Sequence, residues 1–314
     1  MAKRIKGFMT LSEGILCKKE VLGKSYDAEI AGENVQICFP RYPIVDEGVA
    51  AVGSQYPLLP PEAGKTWRRG DNKPLSWGRP LSYPSGDAVV ESLALYADCA
   101  ECEVEDRAQK LYHNITKWEH AFVDYIILET KQNQFRGNNI RRKSCDLEIW
   151  ADKHIPDRRI HPITACIIRG ESFYASNEQI YGAIQFASSG KEFLLEYQML
   201  LSAYEARSKN RNRSAVLDAT AAIEIVLNNQ INNYCQSKDI DTDILLKKYR
   251  YLGEKFELVK KIDESFPKEN YKAIIVDPRN AVMHNKDVYP SNEITDKLIR
   301  CVEQFLKHFH VSYY

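Results

Sequence analysis

Breakers of regular structure are spread very unevenly along this 314-residue chain. Fourteen of the fifteen glycines and ten of the thirteen prolines precede Lys191, as do all four tryptophans. Gly and Pro punctuate strands and turns, and their scarcity over a long stretch favours helix. After Gly190 only Gly253, Pro267, Pro278 and Pro290 remain. The expected architecture is two-domain α+β: a mainly β domain over residues 1–187, then an all-α helical bundle over 191–314. Ala187-Ser188-Ser189-Gly190 is the natural joint, small, polar and able to cap the helix that follows.

Within 1–187, residues 26–39 hold two short alternating segments around Gly32-Glu33-Asn34, a hairpin signature. Further strands are expected at 89–104, 121–130, 145–151, 163–168 and 181–186. Together they would make a β-sandwich or distorted barrel. Residues 108–120 are compatible with a helix, which leaves a mixed α+β domain open. The proline-rich stretch 53–86 reads as loop.

Beyond the joint the apolar period changes from two to between three and four. Phe193, Leu194, Tyr197, Leu200, Leu201 and Tyr204 mark one amphipathic helix. Residues 213–235 form a longer one with a nearly continuous apolar centre, expected to be the buried helix. Residues 244–262 are one helix broken near Gly253 or two short ones, and 268–275 are another. Leu298, Cys301, Val302, Phe305, Leu306 and Phe309 line a closing helix over 292–310.

Between those last helices lies Asp277-Pro278-Arg279-Asn280-Ala281-Val282-Met283-His284-Asn285. Asp followed by Pro is a helix-start signature, so a short helix is expected to begin there with free amides and a positive dipole end. Such an end suits phosphate. Arg279 adds a permanent charge on a fork that fits phosphate oxygens. His284 adds a group that exchanges a proton near neutral pH. Asn280 and His284, four apart, share a face. Arg279 and His284 point about 140° apart. One helix therefore does not easily aim both at one atom, whereas two copies about a two-fold axis can.

The Arg-Asn-x-x-x-His pattern, in a late helix of a small helical domain, resembles the HEPN superfamily, and its Apea-like branch most closely. The resemblance covers residues 191–314. It implies a metal-independent endoribonuclease with a composite site at a homodimer interface. His284 would be the general acid or base and Arg279 would stabilise phosphoryl charge. Asn280 would hold the ring or the phosphate. It also implies a toxin or antiviral role, often against tRNA, with residues 1–187 sensing a protein trigger or restraining the nuclease. The alternative is a non-catalytic nucleotide- or RNA-binding module, or a dimerisation module in a protein-sensing scaffold.

Other features bear on that expectation. Glu224 is the lone charge in the apolar run 219–227, and a buried carboxylate is costly unless paired. It either orients Arg279 or His284 or marks a solvent-facing edge together with Asn228. Arg207, Lys209, Arg211 and Arg213 open the helical part and are candidates to track an RNA backbone. A zero net charge excludes wholesale electrostatic binding to nucleic acid but allows such a local patch. Cys99-x-x-Cys102 lacks a second pair, and His113/His120 and His154/His161 lack metal-ligand spacing, so no metal or other cofactor is expected. Eight scattered cysteines suggest free thiols in a reducing cytoplasm. With no long apolar run and no apolar stretch behind Lys3, Arg4 and Lys6, neither a membrane span nor a leader is expected.

Overall fold

The computed structural model describes residues 2–43, 57–62, 75–81, 86–132, 148–150, 174–285, 289–310 and 312–314. The chain falls into two units, one within Met1–Lys191 and one spanning Glu192–Tyr314.

The first unit is built on a strand to which the sequence reading assigns nothing, β1 at Ala2–Cys17. Its buried Ile5, Phe8, Met9, Ile15 and Leu16 are interrupted by basic and polar residues that mask the strand. The other strands are β2 (Ser25–Ile30), β3 (Glu33–Cys38), β4 (Gly78–Pro80), β5 (Ala88–Ala100) and β6 (Glu148–Trp150). All pairings are antiparallel, in the order β2-β3-β5-β1-β6, with β4 also on β5. The β1–β5 ladder slips between Thr10 and Ile15. Gly14 sits in that slip, where a Cβ would lie 2.5 Å from Val89 Cγ1. The β2–β3 hairpin turns at Ala31 (φ 54°) and Gly32 (φ 81°), slightly ahead of the expected turn. Two positive φ angles match the twist of the flanking strands.

Two expected strands are helices. Residues 121–130 belong to α1 (Val104–Thr130) and 181–186 to α2 (Asn177–Ser189). Leu111, Ile115, Trp118, Phe122 and Ile126 are buried along α1 at spacings of three and four, the helical period. In α2 the Ser176 hydroxyl accepts from Gln179 N–H, and the Gln179 side chain accepts from Ser176 N–H. That reciprocal cap starts the helix and left-handed Gly190 ends it. The expected strand 89–104 stops at Ala100, and 163–168 lies outside the described residues. The described strands all join one sheet, so the sandwich or barrel gives way to a sheet with α1 and α2 against it. These helices pack on each other and on β2, with α1 also on β1. The apolar runs that would have made a second sheet supply this helical layer.

Arg107 and Lys110 of α1 bind Glu33 of β3 at 2.5 and 2.9 Å. Hydrogen bonding from Lys110 is the main cause that holds this carboxyl below its usual range, aided by Arg107 and opposed by burial. A depressed carboxyl stabilises the fold above the unfolded pKa of about 4.3 and loses that contribution as pH falls through the folded value. Glu33→Gln should therefore unfold at lower urea than wild type at pH 6, with the gap narrowing as pH falls below the unfolded pKa of about 4.3. A gap independent of pH would show that the pair contributes nothing.

The second unit comprises α3 (Leu195–Ser208), α4 (Asn212–Lys238), α5 (Thr242–Lys248), α6 (Leu252–Ile262), α7 (Asp277–His284) and α8 (Asn292–Phe309). Helix α4 is the central one and packs against each of the others. Its buried Ala215, Ala219 and Ala222 allow close approach, and Ile223, Val226, Leu227 and Ile231 fill the core. Residues 244–262 are two helices, with the break at 249–251. Tyr204 of α3 donates to Glu303 of α8 at 2.5 Å in the interior. Phe256, Phe266, Tyr271, Phe305 and Phe309 form one aromatic cluster.

Candidate functional site

The helix that carries Arg279, Asn280 and His284 starts earlier than its Asp-Pro pair suggests. The chain is helical from Tyr271, and Lys272–Val276 is a π-helical turn that runs straight into α7. Asp277 N–H donates to Lys272 C=O, five residues back. Val276 is itself helical (φ −68°, ψ −47°), so Asp277 caps nothing. The free amides expected at the start of α7 are absent; the helix instead begins beside Asn270, whose side chain accepts from Ala273 N–H at 3.3 Å. The physical reason lies in Pro278. It lacks an N–H and its ring crowds the carbonyl four residues earlier, here that of Ile274, so it ends or distorts an α-helix. A wide turn just upstream makes room and keeps the helix continuous.

Arg279 is partly buried and donates from Nη1 to Asn280 Oδ1 at 3.2 Å. The motif's first two residues are thus joined to each other. His284, the last residue of α7, is exposed. Its side chain makes no hydrogen bond or ion pair with the described residues. Asn285 then leaves the helix with extended backbone (φ −126°, ψ 113°). Val282 is the buried anchor of α7, and Met283 beside His284 is 53% exposed. Lone apolar anchoring leaves the end of so short a helix dependent on other contacts.

Those contacts come from the first turn of α4. Arg213 donates from Nη2 to Val282 O at 2.8 Å and from Nη1 to Asn285 O at 2.9 Å. Its guanidinium lies over the Tyr289 ring, 5.8 Å from the centroid. Next to it, Asn212 Nδ2 donates to Pro290 O at 2.8 Å and to Asn292 Oδ1 at 2.9 Å. Two adjacent residues of α4 thereby hold both ends of the α7–α8 connection.

The remaining candidates are placed differently. Glu224 faces α6, where Lys255 Nζ donates to its Oε1 at 2.6 Å. Among the described residues it makes no hydrogen bond or ion pair to Arg279 or His284. The carboxylate is paired with a lysine that sequence reasoning missed. A signal existed: Lys255 interrupts the apolar stripe Leu252, Phe256, Val259, as Glu224 interrupts its own. Arg207 is bidentate to Asp296 at 2.6 and 3.0 Å, and Lys209 pairs with Glu205 at 2.5 Å. Arg211 is exposed, and its charge offsets part of the burial that raises the Asp218 carboxyl. A run that reads as a cationic RNA track thus holds three residues already engaged within the fold.

A cleft of about 740 Å³ lies between α6 and the π turn, lined by Phe256, Lys260, Phe266, Lys268, Tyr271 and Lys272 among others. Neither Arg279, Asn280 nor His284 lines it. Among the described residues no three His, Cys, Asp or Glu side chains gather as metal ligands, and His154 and His161 lie outside them. Cys99 is buried and Cys102 exposed, both as free thiols. No helix of the described residues is long and apolar enough to cross a membrane. No protein-family model, curated protein or solved structure matches this chain, so the site is read from its own residues.

Proposed function

We propose that the helical unit is a metal-independent endoribonuclease of HEPN type that works as a homodimer. The observation that carries this reading is α7 itself: one short helix bears Arg279 tied to Asn280 and, a turn later, an exposed His284. In this reaction His284 withdraws the proton of a ribose 2′-hydroxyl, or returns one to the leaving 5′-oxygen. Arg279 stabilises the charge that builds on the phosphoryl oxygens. The products are a 2′,3′-cyclic phosphate and a 5′-hydroxyl. The 2′-hydroxyl is the nucleophile, which makes RNA the substrate and DNA inert.

The angle between Arg279 and His284, about 140° on one helix, supports a site shared by two protomers. By analogy with the family it resembles, the first unit senses a trigger or restrains the nuclease, and the protein acts in the cytoplasm as a toxin or antiviral effector. The test is expression of wild type, Arg279→Ala and His284→Ala in a bacterial host, with total RNA mapped for new 5′-hydroxyl ends. Discrete cuts and slowed growth with wild type alone are the expected result. Phage protection that survives both substitutions would sink the catalytic reading and favour a binding module.

A further inference from the structure

We propose that Arg213 is the positioning residue for His284, rather than an RNA contact; the assignment rests on the reading of His284 as the acid–base group. His284 ends a helix of eight residues with one buried anchor and no glycine cap. The last carbonyls of a helix have no partner within it, and such a turn frays unless something holds it. The two carbonyls that Arg213 takes belong to Val282 and Asn285, which straddle His284 in sequence. The planar guanidinium thus clamps the backbone on either side of the histidine. Its own base is rigid, because α4 continues at once into the buried Ala215 and Val216. The Tyr289 ring covers one of its faces, and Asn212 ties down Pro290 just beyond.

The chemistry of the clamp separates it from phosphate binding. Two carbonyls held by two nitrogens require a fork, and a lysine ammonium is a single point of charge. A phosphate contact, by contrast, is served by either side chain. Arg213→Lys should therefore behave like Arg213→Gln if the residue clamps α7, and like wild type if it binds RNA.

The experiment uses the full chain. Hydrogen exchange is followed at the backbone amides of His284 and Asn285, and the His284 ring resonances are recorded by NMR. RNA cleavage is measured in parallel. In both variants the two amides should exchange about tenfold faster or more, and the His284 ring signals should shift or broaden. kcat should fall about 10- to 100-fold, as a small misplacement of a reacting group demands, while KM stays within about twofold. Unchanged exchange and ring signals would overturn the proposal. So would a raised KM with kcat kept, restored by lysine, together with a salt slope reduced by about one. If wild type cuts no RNA, the nuclease reading fails alone, because exchange and ring signals still decide the clamp. Should Arg213→Gln not fold, Arg213→Lys carries the test.

Discussion

His284→Ala is expected to lower RNA cleavage by the purified protein about 10²- to 10⁴-fold, the range that a positioned acid–base group supplies. Arg279→Ala should lower it by about 10²- to 10³-fold, as loss of a donor to a developing oxyanion does. Neither residue belongs to the core: His284 is exposed and Arg279 is partly buried and hydrogen-bonded to Asn280, so thermal unfolding should change little. A large loss of rate without a loss of stability is the signature to look for. The proposed composite arrangement adds a sharper result. If each site takes Arg279 from one protomer and His284 from the other, mixing the two inactive variants makes heterodimers with one intact site. Statistical mixing then restores about a quarter of wild-type activity, half the dimers carrying one of two sites. A mixture as inactive as its components would mean that both residues must come from the same protomer, or that all four act together.

Phe305→Ala is expected to destabilise the helical unit by about 3–5 kcal/mol, the usual cost of emptying a large aromatic site in a core. Phe305 is 1% exposed. Its ring centroid lies 5.9 Å from Phe256, 5.8 Å from Phe266 and 5.5 Å from Tyr271, each edge-on, and 4.9 Å from Phe309. Edge-to-face pairs add to the burial because the positive rim of one ring meets the negative face of the next. The three edge-on rings and the tilted Phe309 come from α6, the following segment and α8, so the gap cannot close by moving one side chain. Urea unfolding followed by tryptophan would miss this event, since all four tryptophans precede Lys191. Far-ultraviolet circular dichroism or tyrosine fluorescence reports it instead. A loss under about 1 kcal/mol would show that the cluster relaxes around the vacancy.

What could be read from the sequence depended on whether a local period decides the element. The 26–39 hairpin and the helices beyond Lys191 carried their period in plain view. Residues 121–130 and 181–186 did not, because Phe122-Val123 and Ile126-Ile127 have the composition of strands. Composition describes what packs well on a pleated surface and does not itself set the backbone. The cap at Ser176 and Gln179 and the stop at Gly190 were legible signals for α2. β1 was hidden by Lys3, Arg4 and Lys6. Within the candidate site, Arg279, Asn280 and His284 stood out by type and spacing. The partners of Glu224 and Arg213 were not legible, since each lies on a helix whose rotation against its neighbours no single segment fixes. Asp277-Pro278 misled for a different reason: proline is as compatible with the turn after a π bulge as with a true helix start.

That bulge works as a vernier. In an ordinary α-helix each residue advances the outward direction by about 100°, so a surplus residue resets the azimuth of everything after it. Arg279, Asn280 and His284 follow the surplus in Lys272–Val276, while Tyr271 before it remains locked in the aromatic cluster. The compass bearing of the motif is therefore written in the length of the segment ahead of it rather than in the motif. A chain with the same nine residues from Asp277 to Asn285, but one residue fewer upstream, would turn a different side of α7 away from the core. Among chains that share the pattern, counting residues back to the last core aromatic ring would sort those that can present it alike from those that cannot.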